Sequence, residues 1–167
     1  PIYQTSTYVQ TDLGEHKGYE YSRTDNPTRT ALQGCIAALE AADYGLAFAS
    51  GMAATDTLLR LVGPGQPALV GDDVSGGTFR LVAQMLRGHG LIFIYVDVSD
   101  LEAVAAALRP DTRLVWLETP TNPMLKLADI AAISDLAHRR QAQVVVDNTF
   151  ATPYLQQPIT LGADFVV

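Results

Sequence analysis

Thiol chemistry is nearly absent from this chain of 167 residues: it has one cysteine, Cys35, so no internal disulfide can form. Leu32, Ile36 and Leu39 at helical spacing around it predict a buried helix face, not a reactive thiol. Charge is sparse too. Asp, Glu, Lys and Arg make up 17% of the residues, and 11 basic against 18 acidic side chains leave a net charge of −7. The acidic residues form no tail, and basic residues cluster only at Arg139-Arg140 and at Arg80 with Arg87. Gripping a phosphate polymer takes a basic face, so no nucleic-acid partner is expected. His16, His89 and His138 lie far apart without ligand spacing, so no metal is expected. No apolar run approaches the roughly 20 residues of a membrane span, and Pro1-Ile2-Tyr3-Gln4 lacks a signal pattern. The expectation is a cytoplasmic protein without membrane contact. A G-x-x-x-x-G-K-[ST] phosphate loop is missing, as are repeats and low-complexity tracts. Gly63-Pro64-Gly65-Gln66-Pro67-Ala68 fits G-x-G-x-x-A, but it follows a helix and precedes a strand, the reverse of a dinucleotide site, and reads as a turn.

What the chain does have is apolar material, 48% of its residues, with a period that switches repeatedly after Gly45. Strands are predicted at Leu46–Ala49, Ala68–Gly71, Leu91–Val96, Arg113–Leu117, Gln143–Val146 and Phe165–Val167. Helices are predicted at Met52–Val62 and Thr78–Arg87. A third follows Ser99, which with Glu102 makes a capping box, and has Leu101, Val104, Ala105 and Leu108 on one face. A fourth carries Ile130, Ile133, Leu136 and Ala137. Alternating strands and helices give parallel strands with helical crossovers, hence an α/β fold: a three-layer α/β/α domain with a mostly parallel sheet. Residues 1–25 are polar and aromatic without a period and read as an extended N-terminal arm. Asn26 as N-cap and Pro27 at the first helical position then open a helix to about Ala42. The start without methionine and the stop at Val167 inside an apolar strand suggest part of a longer chain.

Ligands of open α/β sheets bind outside the carboxyl ends of the strands, which singles out the residues there. Ser50-Gly51-Met52 turns a strand directly into a helix. Its N–H groups would face outward at the positive end of the helix dipole, as an anion or phosphate site or as a plain helix start. Asp147 ends the most apolar strand and needs a cationic partner, either a protonated heterocyclic nitrogen or an arginine elsewhere. Glu118 and Asn122 flank Pro120 and Pro123, which stiffen the loop that presents them.

Four segments occur in order: Tyr19-Glu20-Tyr21-Ser22-Arg23-Thr24-Asp25-Asn26-Pro27-Thr28-Arg29, Ala47-Phe48-Ala49-Ser50-Gly51-Met52-Ala53-Ala54, Glu118-Thr119-Pro120-Thr121-Asn122-Pro123 and Val145-Val146-Asp147-Asn148-Thr149-Phe150. Together they resemble the Cys/Met-metabolism (transsulfuration) family of fold-type-I enzymes that use pyridoxal 5′-phosphate (PLP), over the whole of the chain. The resemblance implies that residues 26–167 are most of the PLP-binding large domain. The Schiff-base lysine and a C-terminal domain would lie beyond Val167. It implies that Gly51 and Met52 hold the cofactor phosphate through backbone N–H groups, with Tyr21 and Arg23 reaching it from the neighbouring subunit. Asp147 would keep the pyridine nitrogen protonated. Asn122 would bond the ring hydroxyl, with Glu118 supporting that side of the ring. Arg80 would bind substrate or be a solvated helix residue. An active dimer, and a tetramer of two dimers, is the implied assembly.

The branch implied is cystathionine γ-lyase, which converts cystathionine to cysteine, 2-oxobutanoate and ammonia. Alternatives are cystathionine γ-synthase or a related sulfhydrylase and, from another class, a nicotinamide-binding domain or a non-catalytic relic. One departure stands out. Ser75 occupies the position from which the family's tyrosine stacks on the cofactor ring, with Phe79 one turn along as another aromatic surface. Gly77 stands where methionine γ-lyases carry cysteine, which counts against that branch.

Overall fold

The computed structural model describes residues 1–167, which form two compact units, Pro1–Ala47 and Phe48–Val167. The helix after Asn26 groups with the residues before it.

In the first unit the arm is folded and not simply extended. Strands β1 (Gln10–Asp12) and β2 (Glu15–His16) pair antiparallel around Gly14, whose φ of 76° suits a residue without Cβ. Tyr8 and Ser22 then pair with Glu20 and Ser6 through backbone bonds of 3.0 and 2.9 Å. Helix α1 (Pro27–Leu39) starts as expected: Asn26 Oδ1 accepts from the N–H groups of Thr28 and Arg29, and Pro27 is the first helical residue. The amide of Asn26 also donates to Tyr3 O and Tyr8 Oη, so one side chain caps the helix and fastens the arm. The helix ends at Leu39, short of Ala42. The buried face predicted around Cys35 is corrected: Cys35, Leu32, Ile36 and Leu39 are exposed, and Ala37 is the only buried apolar residue of the helix. A helix presents a buried stripe only where another element covers it, which the spacing alone cannot reveal.

The second unit holds a five-stranded parallel sheet. Its strands are β3 (Pro67–Gly71), β4 (Ile92–Val96), β5 (Leu114–Glu118), β6 (Gln143–Asp147) and β7 (Phe165–Val166), in the order β4-β3-β5-β6-β7. Side chains alternate across the sheet, so each inner strand feeds two cores. Leu69, Val115, Leu117, Val144 and Val146 pack on one face with Val104 of α4 (Leu101–Ala107) and Ile130, Ile133 and Ala137 of α5 (Ile130–His138). Ala68, Val70, Leu114, Trp116 and Val145 pack on the other with Leu59 of α2 (Gly51–Leu59) and Leu81 and Val82 beyond α3 (Gly76–Arg80). The expected three layers are present. Both faces of β5 are covered and all five of its residues are buried, as its unbroken apolar run demands.

Three local expectations fail. Leu46–Ala49 is not a strand: nothing pairs with it, and Leu46 and Phe48 are exposed. The helix read over Thr78–Arg87 begins at Gly76, widens into a π-helical turn at Leu81–Met85 and tightens into a 3-10 turn at Leu86–His89. That change of pitch keeps Leu81, Val82 and Leu86 all buried. The cap of α4 is Asp100, whose carboxylate accepts from Glu102 and Ala103 N–H at 3.0 Å each, while the hydroxyl of Ser99 donates to Asp97. With the cap displaced by one residue the packed face becomes Ala103, Val104, Ala107 and Leu108, and Leu101 and Ala105 are exposed. A last pair of turns, α6 (Thr152–Leu155) and a 3-10 turn at Pro158–Leu161, leads into β7.

Candidate functional site

Parallel strands point their carboxyl ends the same way, and in this unit those ends border a cavity of about 250 Å³. Gly51, Met52, Ser75, Glu118, Asn122 and Asp147 line it, together with Thr55, Thr78, Pro120, Thr149, Phe150 and Val167. Six of the nine residues singled out from the sequence are therefore brought to one place.

One side of the cavity is built from backbone. Ser50 sits in extended conformation (φ −160°, ψ 158°) and its Oγ accepts from Ala53 N–H at 3.2 Å, which fixes where α2 begins. Gly51 and Met52 are the first two helical residues, so their N–H groups have no acceptor inside the helix and stay available for an anion. A Cβ on Gly51 would meet nothing within 4 Å, which leaves open space at that point of the chain.

The opposite side is built from carboxylates. Glu118 and Asp147 are register partners at the ends of β5 and β6. Asp147 has one oxygen, Oδ1, engaged by Thr149 through its N–H (3.1 Å) and its hydroxyl (2.6 Å). Its second oxygen has no partner in the chain, and no arginine of the chain meets it. Glu118 is spent differently. Its Oε2 accepts from Ser75 N–H at 2.7 Å and its Oε1 from Asn122 N–H at 3.2 Å, so this buried side chain ties together the loops after β3 and β5. Burial pushes the Glu118 carboxyl above the usual carboxylate range, helped by the charges of Asp147 and Asp73 and opposed by the two N–H bonds. With both oxygens bonded to backbone, Glu118 braces the wall, and the Asn122 side chain lines the cavity.

Ser75 lines the cavity with its hydroxyl 3.1 Å from that of buried Thr78. Phe79 does not supply the missing aromatic surface: it packs against Tyr95, ring centroids 5.9 Å apart, and lies outside the cavity. Phe150 lies in the wall instead. Residue 150 closes the segment that begins at Val145, but no periodicity shows that its ring turns inward. Thr149 is likewise a residue that sequence reading gave no role, although an Asp-x-Thr turn is a signal that could have found it. Arg80 is exposed and outside the cavity. Tyr21 and Arg23 belong to the first unit, where the guanidinium stands 5.1 Å from the centre of the Tyr21 ring. A Cβ on Gly77 would come within 2.8 Å of Met52 Sδ, so any side chain there would require the Met52 side chain to shift.

Could a lysine of this chain be the covalent anchor of a cofactor? There are two, Lys17 and Lys126. Lys126 makes three hydrogen bonds to Asp72 and Asp97 at 3.1–3.2 Å, and those carboxylates raise its pKa, so it is held as an ammonium ion outside the cavity. Lys17 belongs to the first unit. No group of three or more His, Cys, Asp or Glu side chains is arranged to hold a metal, and no helix is long and apolar enough to cross a membrane.

The site thus offers free N–H groups on one side and a carboxylate oxygen without a partner on the other. That donor set fits a molecule bearing a phosphate and a protonated ring nitrogen, which PLP is. Comparison with known proteins points the same way. A family model described as Cys/Met metabolism PLP-dependent enzyme matches residues 1–167. The chain is 60% identical to a probable cystathionine gamma-synthase of Herpetosiphon aurantiacus over all 167 residues, which is 52% of that protein. It is 49% identical to a cystathionine gamma-lyase of Bacillus subtilis, again along its full length and over 44% of the relative. Among solved structures, a cystathionine gamma-lyase from Lactobacillus plantarum complexed with L-serine superposes with a TM-score of 0.94 at 51% identity, covering 99% of this chain and 43% of that one. The chain therefore spans about half the length, or less, of the relatives it matches.

Proposed function

The chain belongs to the Cys/Met-metabolism family of PLP-dependent enzymes, and from that premise we propose that the protein containing it acts on the γ-carbon–sulfur bond of cystathionine. The observation that carries this reading is the cavity between the N-terminus of α2 and Asp147, with its unpaired donors and its unpaired acceptor oxygen. When bound, PLP supplies an electron sink for the pair left at the substrate α-carbon.

The chain's own residues bind and orient that group. Gly51 and Met52 N–H groups hold the phosphate, and the α2 dipole favours its charge. Asp147, steadied by Thr149, accepts from the ring N–H and keeps the proton on that nitrogen. Asn122 bonds the ring hydroxyl through its amide, while Glu118 holds the backbone of Asn122 and Ser75 in place. Tyr21 and Arg23 serve the phosphate of a neighbouring subunit in a dimer, and two dimers make a tetramer. Arg80, exposed and outside the cavity, is given no role in this reading. The covalent anchor is a lysine past Val167, supplied by the longer protein.

The reaction we favour is γ-elimination, in which cystathionine and water give cysteine, 2-oxobutanoate and ammonia. The relative at 60% identity supports a second reading, γ-replacement on an activated homoserine ester by cysteine. The two are separated by incubating the full-length protein with each substrate set. Formation of 2-oxobutanoate from cystathionine alone, faster than cystathionine forms from an acylated homoserine and cysteine, supports the lyase. The opposite ranking supports the synthase, and turnover of neither overturns both.

A further inference from the structure

We infer that Lys126 is a positioning residue for the cavity, acting through Asn122, an inference that rests on the reading of the cavity as a PLP site. Lys126 lies in the connection after β5. Its ammonium donates to both oxygens of Asp72 at 3.2 Å and to Asp97 Oδ2 at 3.1 Å, which uses all three of its N–H bonds. Asp72 follows β3 and Asp97 follows β4, so one cation joins the carboxyl ends of three neighbouring strands. Its partners are themselves fixed: Asp72 N–H donates to Val96 O at 2.9 Å, and Asp97 Oδ1 accepts from the Ser99 N–H and hydroxyl.

From Lys126 the connection runs straight back to the cavity wall. Thr121 N–H donates to Lys126 O at 3.1 Å, Lys126 N–H to Thr121 Oγ1 at 2.9 Å, and Leu125 N–H to Thr121 O at 3.0 Å. Residues 121–126 therefore form a closed loop. Asn122 stands at its beginning, with its N–H on Glu118 and its side chain left for the ligand. Glu118 fixes the loop to β5, and Lys126 fixes its other end to β3 and β4. Without the ammonium, Asp72 and Asp97 would face each other as like charges at an edge that already carries Asp73, Glu118 and Asp147, and the loop would lose its second anchor.

The test is PLP affinity of the full-length protein, followed by the cofactor's absorbance, in a double-mutant cycle. Lys126→Met keeps the length of the stem but drops the charge, and should raise the dissociation constant about two- to fivefold, as expected for the loss of a partly exposed ion pair. Lys126→Arg should recover most of the loss. In an Asn122→Ala background, Lys126→Met should cost little more, because its effect passes through Asn122. A structural role alone would give the same loss in both backgrounds. Should Lys126→Met not fold, Asp97→Asn removes one partner instead, and the same dependence on Asn122 is expected. Unchanged affinity, or equal losses with and without Asn122, overturns the inference while leaving the cofactor reading intact. A parent protein that binds no PLP overturns both.

Discussion

The two sides of the cavity are made of different material. At the start of α2 the groups offered to a ligand are backbone N–H groups of Gly51 and Met52, and the Ser50 side chain fixes where the helix begins. At the strand ends the group is a side chain, Asp147, held by Thr149 and standing beside a second carboxylate that is itself fully bonded. A backbone-built side tolerates a change of residue type and fails only when an N–H is removed. A side-chain-built side has no such tolerance, because in the proposed site one carboxylate would carry the whole interaction.

The largest expected effect comes from breaking the strand side. Asp147→Ala in the full-length enzyme should lower kcat by about 10²–10³, the cost typical of losing one well-placed electrostatic group, and Asp147→Asn should be nearly as damaging. Steady-state turnover within a few fold of the parent for either variant would contradict the assignment. The α2 side can be broken more selectively. Proline is welcome at the first position of a helix, and Ser50 already has the extended conformation that a residue before proline takes. Gly51→Pro should leave the thermal midpoint almost unchanged while removing one donor to the phosphate. A charge-assisted hydrogen bond is worth about 1.5–3 kcal/mol, so the dissociation constant for PLP should rise roughly ten- to a hundredfold. Gly51→Ala, which keeps the N–H and meets no neighbour, should bind as the parent does. Equal effects of the two substitutions would show that the N–H is not used.

Smaller effects sharpen the comparison at the wall between the two sides. Ser75→Tyr leaves the Ser75 N–H bond to Glu118 intact, because that bond is made by backbone. It restores an aromatic surface, and should tighten PLP binding by up to about tenfold through a stacking contribution of about 0.5–1.5 kcal/mol. Unchanged or weaker binding would mean that Phe150 and the Ser75–Thr78 hydroxyls have taken over that wall. The smallest effect concerns acid. Bonds from Ser99, then Lys126, hold the Asp97 carboxyl at about 2, below its ordinary value of 3.8. A lowered pKa stabilises the fold above the ordinary value, and that contribution is lost as pH falls through the window down to about 2. Stability curves of the parent and Asp97→Asn should therefore differ above pH 4 and converge towards pH 2, as followed by circular dichroism.

Legibility in the sequence follows the same division. Runs such as Leu114–Leu117 and Val144–Val146 are apolar at every position, so their burial on both faces and the layered sheet could be read directly. The cap at Asn26-Pro27 was legible because its signal is local. Asp147 was legible because a carboxylate ending such a strand needs a reason. Features that depend on what lies opposite were not. Cys35 and Leu32 have the spacing of a core face yet stay exposed, and Leu46–Ala49 has strand composition yet finds no strand to pair with. The π-helical turn at Leu81–Met85 answers to packing against Trp116 and Leu114 more than to any local preference. At the cap of α4, Ser99 and Asp100 compete, and the carboxylate wins because Ser99 is drawn off by Asp97. Phe150 depends on the direction of a side chain and Lys126 bonds to carboxylates distant in sequence, neither of which periodicity records, whereas Thr149 bonds to Asp147 two residues away and was open to a reading of turns.

The central claim is that Asp147 holds a protonated ring nitrogen at the strand side of this cavity. The most direct measurement is the nitrogen NMR shift of PLP carrying a ¹⁵N label in its ring, bound to the full-length protein and to its Asp147→Ala variant at neutral pH. A pyridinium shift in the parent, displaced towards that of neutral pyridine in the variant, is the result this account predicts. A neutral pyridine shift in the parent, or the same shift in both proteins, would contradict it.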